Sequence, residues 1–177
     1  PNVLVVPASS PYKTMAELIA AEKANPGKLT FASAGTGTSD HLSAELFWLQ
    51  SGTSGLHVPY KGAAPAITDL LGGQVDAAFQ NINNVLPHIT AGKLRVLAIA
   101  APKRSPLLPN VPTLTESGVK DADATSWQGV VAPKGLPPAV KAQIHAALMD
   151  ALADPAVKQK FAEVGFEMVA NTPEQFA

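Results

Sequence analysis

The feature that most constrains the fold is the alternation of strand-like and helix-like segments over residues 1–100. The continuous apolar run from Val3 to Val6 is typical of a strand buried on both faces. Further strands are predicted at residues 29–33, 56–58, 75–79 and 94–100. Short connections rich in glycine separate these segments. The order predicts an α/β fold with a doubly wound, mostly parallel sheet and helices on both faces.

Helical patterns fill the intervals between the predicted strands. Thr14, followed three residues later by Glu17, predicts a capping box at the start of the first helix. The second helix is predicted over residues 39–50, a third over 64–71, and a short, proline-interrupted one within 83–93. The leucines of the second helix recur at helical spacing and predict its apolar face: Leu42, Leu46 and Leu49.

The pattern changes after Ala101. Residues 101–126 contain repeated prolines without a clear period, which predicts a crossing segment over a surface. A strand over 127–132, two helices, and a final strand over 166–170 follow, and the first helix repeats apolar residues at fourfold spacing: Val140, Ile144, Leu148 and Leu152. We therefore expect one α/β lobe over residues 1–100, the crossing segment over 101–126, and part of another lobe over 127–177.

Composition excludes several classes of function. The net charge is −1 and no basic block occurs, so nucleic-acid binding has no electrostatic support. No apolar run reaches the length of a membrane span. Cysteine is absent, which excludes disulfides and thiolate metal sites.

The sequence also lacks the residues that known nucleotide-binding, catalytic and metal-binding motifs require. The stretch "AGTGTS" lacks the lysine of a phosphate-binding P-loop, and Asp40 stands where a dinucleotide fingerprint needs its third glycine. There is no G-x-S-x-G nucleophile motif, and no histidine spacing suggests a metal: the histidines are His41, His57, His88 and His145. The sequence therefore predicts no catalytic residues, no metal and no cofactor, and a protein that is not an enzyme.

What remains for "AGTGTS" is anion binding without chemistry. The first amides of a helix have no intrahelical partner and lie at the positive end of its dipole, and glycines let a ligand approach the backbone closely. Hydroxyl donors add to this: Thr36, Thr38 and Ser39. The alternative is purely structural, with Thr38 or Ser39 capping the helix and Asp40 already complementing its dipole.

Four stretches in order along the chain carry a family resemblance: "PGKLTFASAGTGTSDHLSAELF", "HVPYKGAAPAITDLLGGQVDAAF", "LPHITAGKLRVLAIAAPKRSPLLPNVPTLTESG" and "SWQGVVAPKGLP". The chain resembles the periplasmic substrate-binding proteins of tripartite tricarboxylate transporters, the TctC or Bug proteins. The resemblance implies a type II periplasmic-binding fold of two lobes that close on a small carboxylate. It also implies that an export signal and the first part of one lobe precede Pro1, so that this chain should fold poorly alone or associate.

The resemblance implies a set of ligand-binding residues in two loops. The loop from Ser33 to Ser39 gives amides and hydroxyls to a ligand carboxylate, and the loop from Phe79 to Asn83 lines the same cleft. The implied ligand-binding residues are Ser33, Gly35, Thr36, Gly37, Thr38, Ser39, Gln80 and Asn81, with His41, Tyr60 and Asn83 as further candidates. Gln80 occupies a position where many relatives have aspartate, which favours a plain carboxylate over an amino acid.

The resemblance further implies the setting of the protein. It predicts a periplasmic, monomeric receptor that delivers its carboxylate to the membrane subunits of the transporter, without nucleic-acid partners. An alternative is the effector-sensing domain of a cytoplasmic transcription regulator, which shares the bilobal architecture. Residues upstream of Pro1 distinguish the two, since one class has an export signal and the other a helix-turn-helix.

Overall fold

The computed structural model describes residues 1–176, which form two compact units: Pro1–Ser126 and a second unit that begins at Trp127. The strands of the first unit are β1 (Asn2–Pro7), β2 (Thr30–Ser33), β3 (Leu56–Pro59), β4 (Ala77–Asn81) and β5 (Leu94–Ala100). Its helices are α1 (Met15–Ala24), α2 (Ser39–Ser51), α3 (Ala63–Leu71) and α4 (Ile82–Thr90). The second unit contains α5 (Pro138–Ala153), α6 (Pro155–Glu163) and α7 (Pro173–Phe176).

The strands form one mixed sheet in the order β3-β2-β4-β1-β5. Strand β2 is parallel to both β3 and β4, whereas β1 is antiparallel to both β4 and β5. Since β5 opposes β1, it runs in the same direction as β2, β3 and β4, and only β1 is reversed. The predicted α/β sheet is confirmed, with this one reversed strand. The carboxyl ends of β2, β3 and β4 consequently lie at the same edge of the sheet.

Helices cover both faces of the sheet. Alternate side chains of β1 point to opposite faces and so contact different helices. Leu4 and Val6 belong to a buried cluster with residues of α1 and α2, while Val3 and Val5 belong to a second cluster with residues of α3 and α4. All four side chains are fully buried. The continuous apolar run of the sequence thus corresponds to a strand buried on both sides, as predicted.

The capping box predicted for α1 is present. The Thr14 hydroxyl accepts from the amide of Glu17 at 3.2 Å, and the Glu17 carboxylate accepts from the amide of Thr14 at 3.1 Å. Leu18 is fully buried beneath the helix and Ile19 is partly buried. The local sequence therefore fixes both the start and the buried face of α1.

The apolar face predicted for α2 is wrong at Leu42 and Leu49, whereas Leu46 is partly buried against the core. Leu42 and Leu49 are 55% and 76% exposed, and the helix instead buries an adjacent stripe: Asp40, Ser43, Ala44, Phe47 and Trp48. Both stripes have helical spacing, so periodicity alone does not distinguish them. The aromatic side chains decide the orientation, since they join a ring cluster beneath the helix: Phe31, Phe47, Trp48 and Phe79.

The segment after β5, residues 101–126, is part of the first unit and packs against its helices and strands. Leu114, Val119 and Ala122 are buried in the cluster that contains α1 and α2. The amide of Leu114 donates to the carbonyl of Ile99 at 2.9 Å, which ties the segment to β5. Glu116 accepts from Arg104 at 2.8 Å and closes the proline-rich loop between them.

The second unit consists of helices and irregular segments. The strands predicted at 127–132 and 166–170 are wrong, because a strand requires a hydrogen-bonded neighbour and no pairing occurs among residues 127–176. The helices predicted there are confirmed as α5 and α6. The Asp154 carboxylate caps α6 by accepting from the amides of Ala156 and Val157 at 2.7 and 3.3 Å.

No helix within residues 1–176 combines the length and the hydropathy needed to cross a bilayer.

Candidate functional site

The predicted ligand-binding residues converge at one edge of the sheet. The loop after β2 leads into α2, Tyr60 follows β3, and Gln80 and Asn81 end β4. Because these strands are parallel neighbours, their carboxyl ends bring the loops together. We call the segment Ser33–His41, from the end of β2 through the first three residues of α2, the α2 entry loop.

Glycine is required at two positions of the α2 entry loop. Gly35 and Gly37 have φ angles of +144° and +81°, which other residues rarely adopt. A Cβ added at Gly35 would also lie 3.3 Å from the carbonyl oxygen of Tyr60. Nothing lies within 4 Å of the corresponding position at Gly37, so the backbone there is open to an approaching group.

The first turn of α2 offers backbone donors. Among the described residues, no group accepts from the amides of Ser39, Asp40 or His41, and the Thr38 side chain makes no capping hydrogen bond. These amides are the positive end of a helix of 13 residues. The structural alternative, in which the Thr38 or Ser39 hydroxyl caps the helix, is therefore wrong, and these amides have no acceptor among the described residues.

The hydroxyls of the α2 entry loop differ in whether they already donate to an acceptor within the protein. Thr38 Oγ1 donates to the Gly35 carbonyl at 2.7 Å and holds the turn. Ser33 is buried, and its hydroxyl lies 3.2 Å from the Gly35 carbonyl and 2.7 Å from His57 Nε2. Ser39 Oγ reaches Asp40 Oδ1 only at 3.5 Å, a weak contact, and Thr36 is exposed. Ser39 and Thr36 thus retain the most donor capacity.

Asp40 is the central hydrogen-bond acceptor beneath the loop. The residue is 2% exposed, and its Oδ2 atom accepts from the Ala34 amide and from Gln80 Nε2, both at 3.1 Å. Burial raises the pKa of this carboxyl, and the hydrogen bonds from Ala34, Ser39 and Gln80 oppose the increase. Asp40 therefore connects β2, α2 and β4 and does not cap its own helix.

The polar residues at the end of β4 have distinct environments. Gln80 is fully buried, with its amide nitrogen on Asp40, and among the described residues its Oε1 has no hydrogen-bond partner. Asn81 Oδ1 accepts from Ser126 Oγ, and Asn83 donates to the Asn84 side chain at 3.0 Å. Gln80 thus contacts the α2 entry loop, whereas Asn83 contacts its own helix.

Two further predicted residues, His41 and Tyr60, stabilise the α2 entry loop through its backbone. The rings of His41 and His57 stack with centroids 3.9 Å apart, and His41 Nδ1 accepts from the Gly37 amide at 3.1 Å. Tyr60 donates its hydroxyl to Asp69 at 2.7 Å, which raises the pKa of Tyr60 to about 12. The Tyr60 amide donates to the Ser33 carbonyl at 3.0 Å, so this residue contacts the loop through its backbone.

Sequence reasoning missed the roles of Asp40 and His57. Asp40 reads as a charge that complements the helix dipole, and nothing in the sequence shows that its side chain turns back to Ala34. His57 lies on a different strand from His41, and only the parallel pairing of β2 and β3 brings the two rings together. Within residues 1–176, no group of three or more histidine, cysteine or acidic side chains is placed to hold a metal ion.

The sequence profile described as "Tripartite tricarboxylate transporter family receptor" (TctC) matches residues 1–177. BugT of Bordetella pertussis is 41% identical over 175 residues, which covers 99% of this chain and 54% of BugT. The chain spans about half the length of the curated relatives it matches.

Solved structures share the fold. An R. palustris protein solved with adipate is 34% identical with a TM-score of 0.94, and the match covers 99% of this chain and 59% of that one. MatC from Rhodopseudomonas palustris, solved with bound malate, is 31% identical with a TM-score of 0.88, covering 100% and 60%. Similar structures include a periplasmic transporter and the periplasmic binding protein BugD. The chain belongs to the TctC, or Bug, family of tripartite tricarboxylate transporter receptors.

Proposed function

We propose that the α2 entry loop binds one carboxylate group of a small organic acid. The amides of Ser39, Asp40 and His41 are the principal donors, assisted by the hydroxyls of Ser39 and Thr36. Asn81 adjoins these donors, and the buried Gln80 supports the loop through Asp40. The observation that carries the proposal is the set of first-turn amides of α2 that have no acceptor among the described residues.

Three further features support an anion at this position. The site lies at the carboxyl ends of parallel strands, where α/β sheets bind ligands. Gly37 leaves the backbone open to close approach. The similar R. palustris structures were solved with adipate and malate, which are both dicarboxylates.

We propose that the complete protein is a periplasmic receptor that hands its carboxylate to the membrane subunits of a tripartite tricarboxylate transporter. Membership of the receptor family supports this role over that of a regulator's sensing domain. The ligand leaves chemically unchanged, because the Ser33 hydroxyl, which lies 2.7 Å from His57 Nε2, is buried, and the exposed part of the α2 entry loop supplies only hydrogen-bond donors.

Calorimetric titration of the full-length protein with adipate and with malate tests the proposal. Ser39→Ala removes one donor at the start of α2. Hydrogen bonds to charged groups contribute roughly 1.5–3 kcal/mol, so affinity should fall about tenfold or more. Ser51→Ala is the matched control, because it removes a serine hydroxyl from the other end of the same helix, where it donates to the Phe47 carbonyl at 2.7 Å.

The two variants must give different results. Weaker binding in Ser39→Ala with wild-type affinity in Ser51→Ala supports a carboxylate at the α2 entry loop. Equal affinity in both variants would show that the ligand contacts other residues. Failure of the wild-type protein to bind any member of a panel of mono-, di- and tricarboxylates would refute the proposed ligand class.

A further inference from the structure

A buried carboxylate occupies the same helix end that the proposed ligand would use. Asp40 is the second residue of α2, is 2% exposed, and lies among the free amides of the first turn. Its Oδ2 atom accepts from Ala34 and Gln80, while Oδ1 has only the Ser39 hydroxyl, 3.5 Å away. A second negative charge bound at this turn would therefore share its positive end with Asp40.

The two anions also compete for one donor. The hydroxyl proton of Ser39 can point at Asp40 Oδ1 or at a ligand, but not at both. No lysine or arginine side chain within residues 1–176 contacts the Asp40 carboxylate, so no local cation offsets the added charge. Repulsion between the two carboxylates in this buried setting is weakly screened.

We propose that carboxylate binding at the α2 entry loop is coupled to the uptake of one proton by Asp40. The inference rests on the proposed function of this loop. In the bound state the proton, taken from solvent, resides on Oδ1, the oxygen that has no backbone donor. Oδ2 continues to accept from Ala34 and Gln80, so the loop keeps its conformation.

Protonation reverses the contact with Ser39. A protonated Oδ1 donates to Ser39 Oγ, and the Ser39 hydroxyl proton is then available to the ligand carboxylate. Burial already raises the pKa of Asp40, so the neutral form costs less here than at the surface. Asp40 thus acts as a positioning residue that makes affinity increase as the pH falls.

Other titratable groups near the loop could also take up a proton, and the experiment must distinguish them. His41 follows Asp40 in α2 and accepts from the Gly37 amide, and Glu45 lies 3.3 Å from His41 Nε2. His57 on β3 stacks on His41. The hydrogen-bond partners of Asp40 itself, Ala34, Ser39 and Gln80, do not titrate.

Calorimetry with malate and adipate, from about pH 6 to about pH 8.5, measures the coupling in the full-length protein. Above about pH 7 both carboxyl groups of each probe are ionised, so a proton taken up on binding in that part of the range belongs to the protein. Repeating the titration in buffers of different ionisation enthalpy counts the protons. We expect uptake of up to one proton and an affinity that falls by up to about tenfold per pH unit as the pH rises.

Asp40→Asn should abolish the pH dependence and bind more tightly than the wild type at the alkaline end. Asp76→Asn is the matched control, because Asp76 also accepts from the amide of a β2 residue, Thr30, at 2.8 Å, but at the opposite end of that strand. It should retain the wild-type slope. If Asp40→Asn fails to fold, the ¹³C shift of the Asp40 carboxyl, followed in the wild type with and without malate, reports the protonation directly.

The outcomes separate this inference from the proposed function. Tight carboxylate binding without proton uptake overturns the coupling and leaves the binding site standing. A slope that survives in Asp40→Asn and disappears in His41→Asn assigns the proton to the histidine and also overturns it. Absence of any carboxylate binding refutes both.

Discussion

The imidazole rings of His41 and His57 stack with their centroids 3.9 Å apart and their planes inclined by 22°. His41 belongs to α2 and His57 to β3, so the contact joins the α2 entry loop to the edge strand of the sheet. Burial and the adjacent His41 lower the pKa of His57, and Glu45 opposes that decrease. The surroundings of His57 therefore favour its neutral ring.

The His57 environment predicts a loss of stability in acid. Its folded-state pKa lies below the unfolded value of about 6.5, so the unfolded chain takes up the proton first as the pH falls. Stability should decline from that pH down to the folded-state pKa. His57→Gln should remove this part of the decline in denaturant titrations at several pH values, whereas His88→Gln tests the loss of a histidine outside the stack. An unchanged acid profile in His57→Gln would contradict the prediction.

Glu22 predicts the opposite dependence on pH. Its side chain is fully buried; Oε1 accepts from Trp48 Nε1 at 2.9 Å, and Oε2 has no partner within residues 1–176. Burial raises the pKa of Glu22, and the nearby Thr53 hydroxyl and the hydrogen bond from Trp48 oppose the increase. Because the native state holds the proton more tightly, stability should fall as the pH rises from about 4.5 through the folded-state pKa.

Glu22→Gln tests this dependence, since the amide oxygen still accepts from Trp48. We expect the variant to lose the slope and to exceed the wild type at neutral pH by about 1.4 kcal/mol for each unit of upward pKa shift. Urea titrations at a series of pH values measure both quantities. A slope shared by the two proteins would show that Glu22 is ionised at little cost in the native state.

Gly55 is predicted to be essential for packing against Trp48. A Cβ added there would lie 2.5 Å from Cζ2 of the Trp48 ring, which is held by Glu22 and cannot move freely. Gly55→Ala should therefore cost about 1–3 kcal/mol of unfolding free energy. In Gly72→Ala the nearest atom is 3.5 Å away, so that control should be neutral or slightly stabilising. Similar melting temperatures for the two variants would refute the prediction.

Local signals in the sequence predicted most of the first unit. The capping box at Thr14 and Glu17, the buried run from Val3 to Val6, and the glycine loop before α2 each depend on a few neighbouring residues. The reversed direction of β1, by contrast, could not be predicted from local residues. Strand polarity depends on how the chain returns across the sheet, and an apolar run reads the same in either direction.

The contacts inside the candidate site could not be predicted without the tertiary structure. The stripe of α2 that faces the core was set by its contacts with Phe31 and Phe79 rather than by the spacing of its leucines. Asp40 reaches Gln80 across 40 positions of sequence, which no local pattern reveals. The segments 127–132 and 166–170 show the limit of propensity, because an apolar run becomes a strand only when a neighbour pairs with it.

Thr14 and Thr38 precede α1 and α2 respectively, and they predict two different phenotypes. Thr14 caps its helix through the side chain, so Thr14→Ala should cost about 1 kcal/mol of stability and leave carboxylate affinity unchanged. Thr38 Oγ1 instead donates to the Gly35 carbonyl at 2.7 Å and holds the α2 entry loop in its turn. Thr38→Ala should therefore lower both stability and affinity, because the free amides lose their fixed position.

Thr38→Ser separates the loop contact from the loss of a methyl group. The serine hydroxyl can still donate to Gly35, so Thr38→Ser should restore most of the affinity lost in Thr38→Ala. Four proteins are compared: the wild type, Thr14→Ala, Thr38→Ala and Thr38→Ser. Thermal melts measure their stability, and calorimetric titrations with adipate measure their affinity independently. If Thr38→Ala melts early yet binds adipate as the wild type does, the turn between Gly35 and Thr38 serves the fold alone. The carboxylate would then depend on amides whose position does not require that bond.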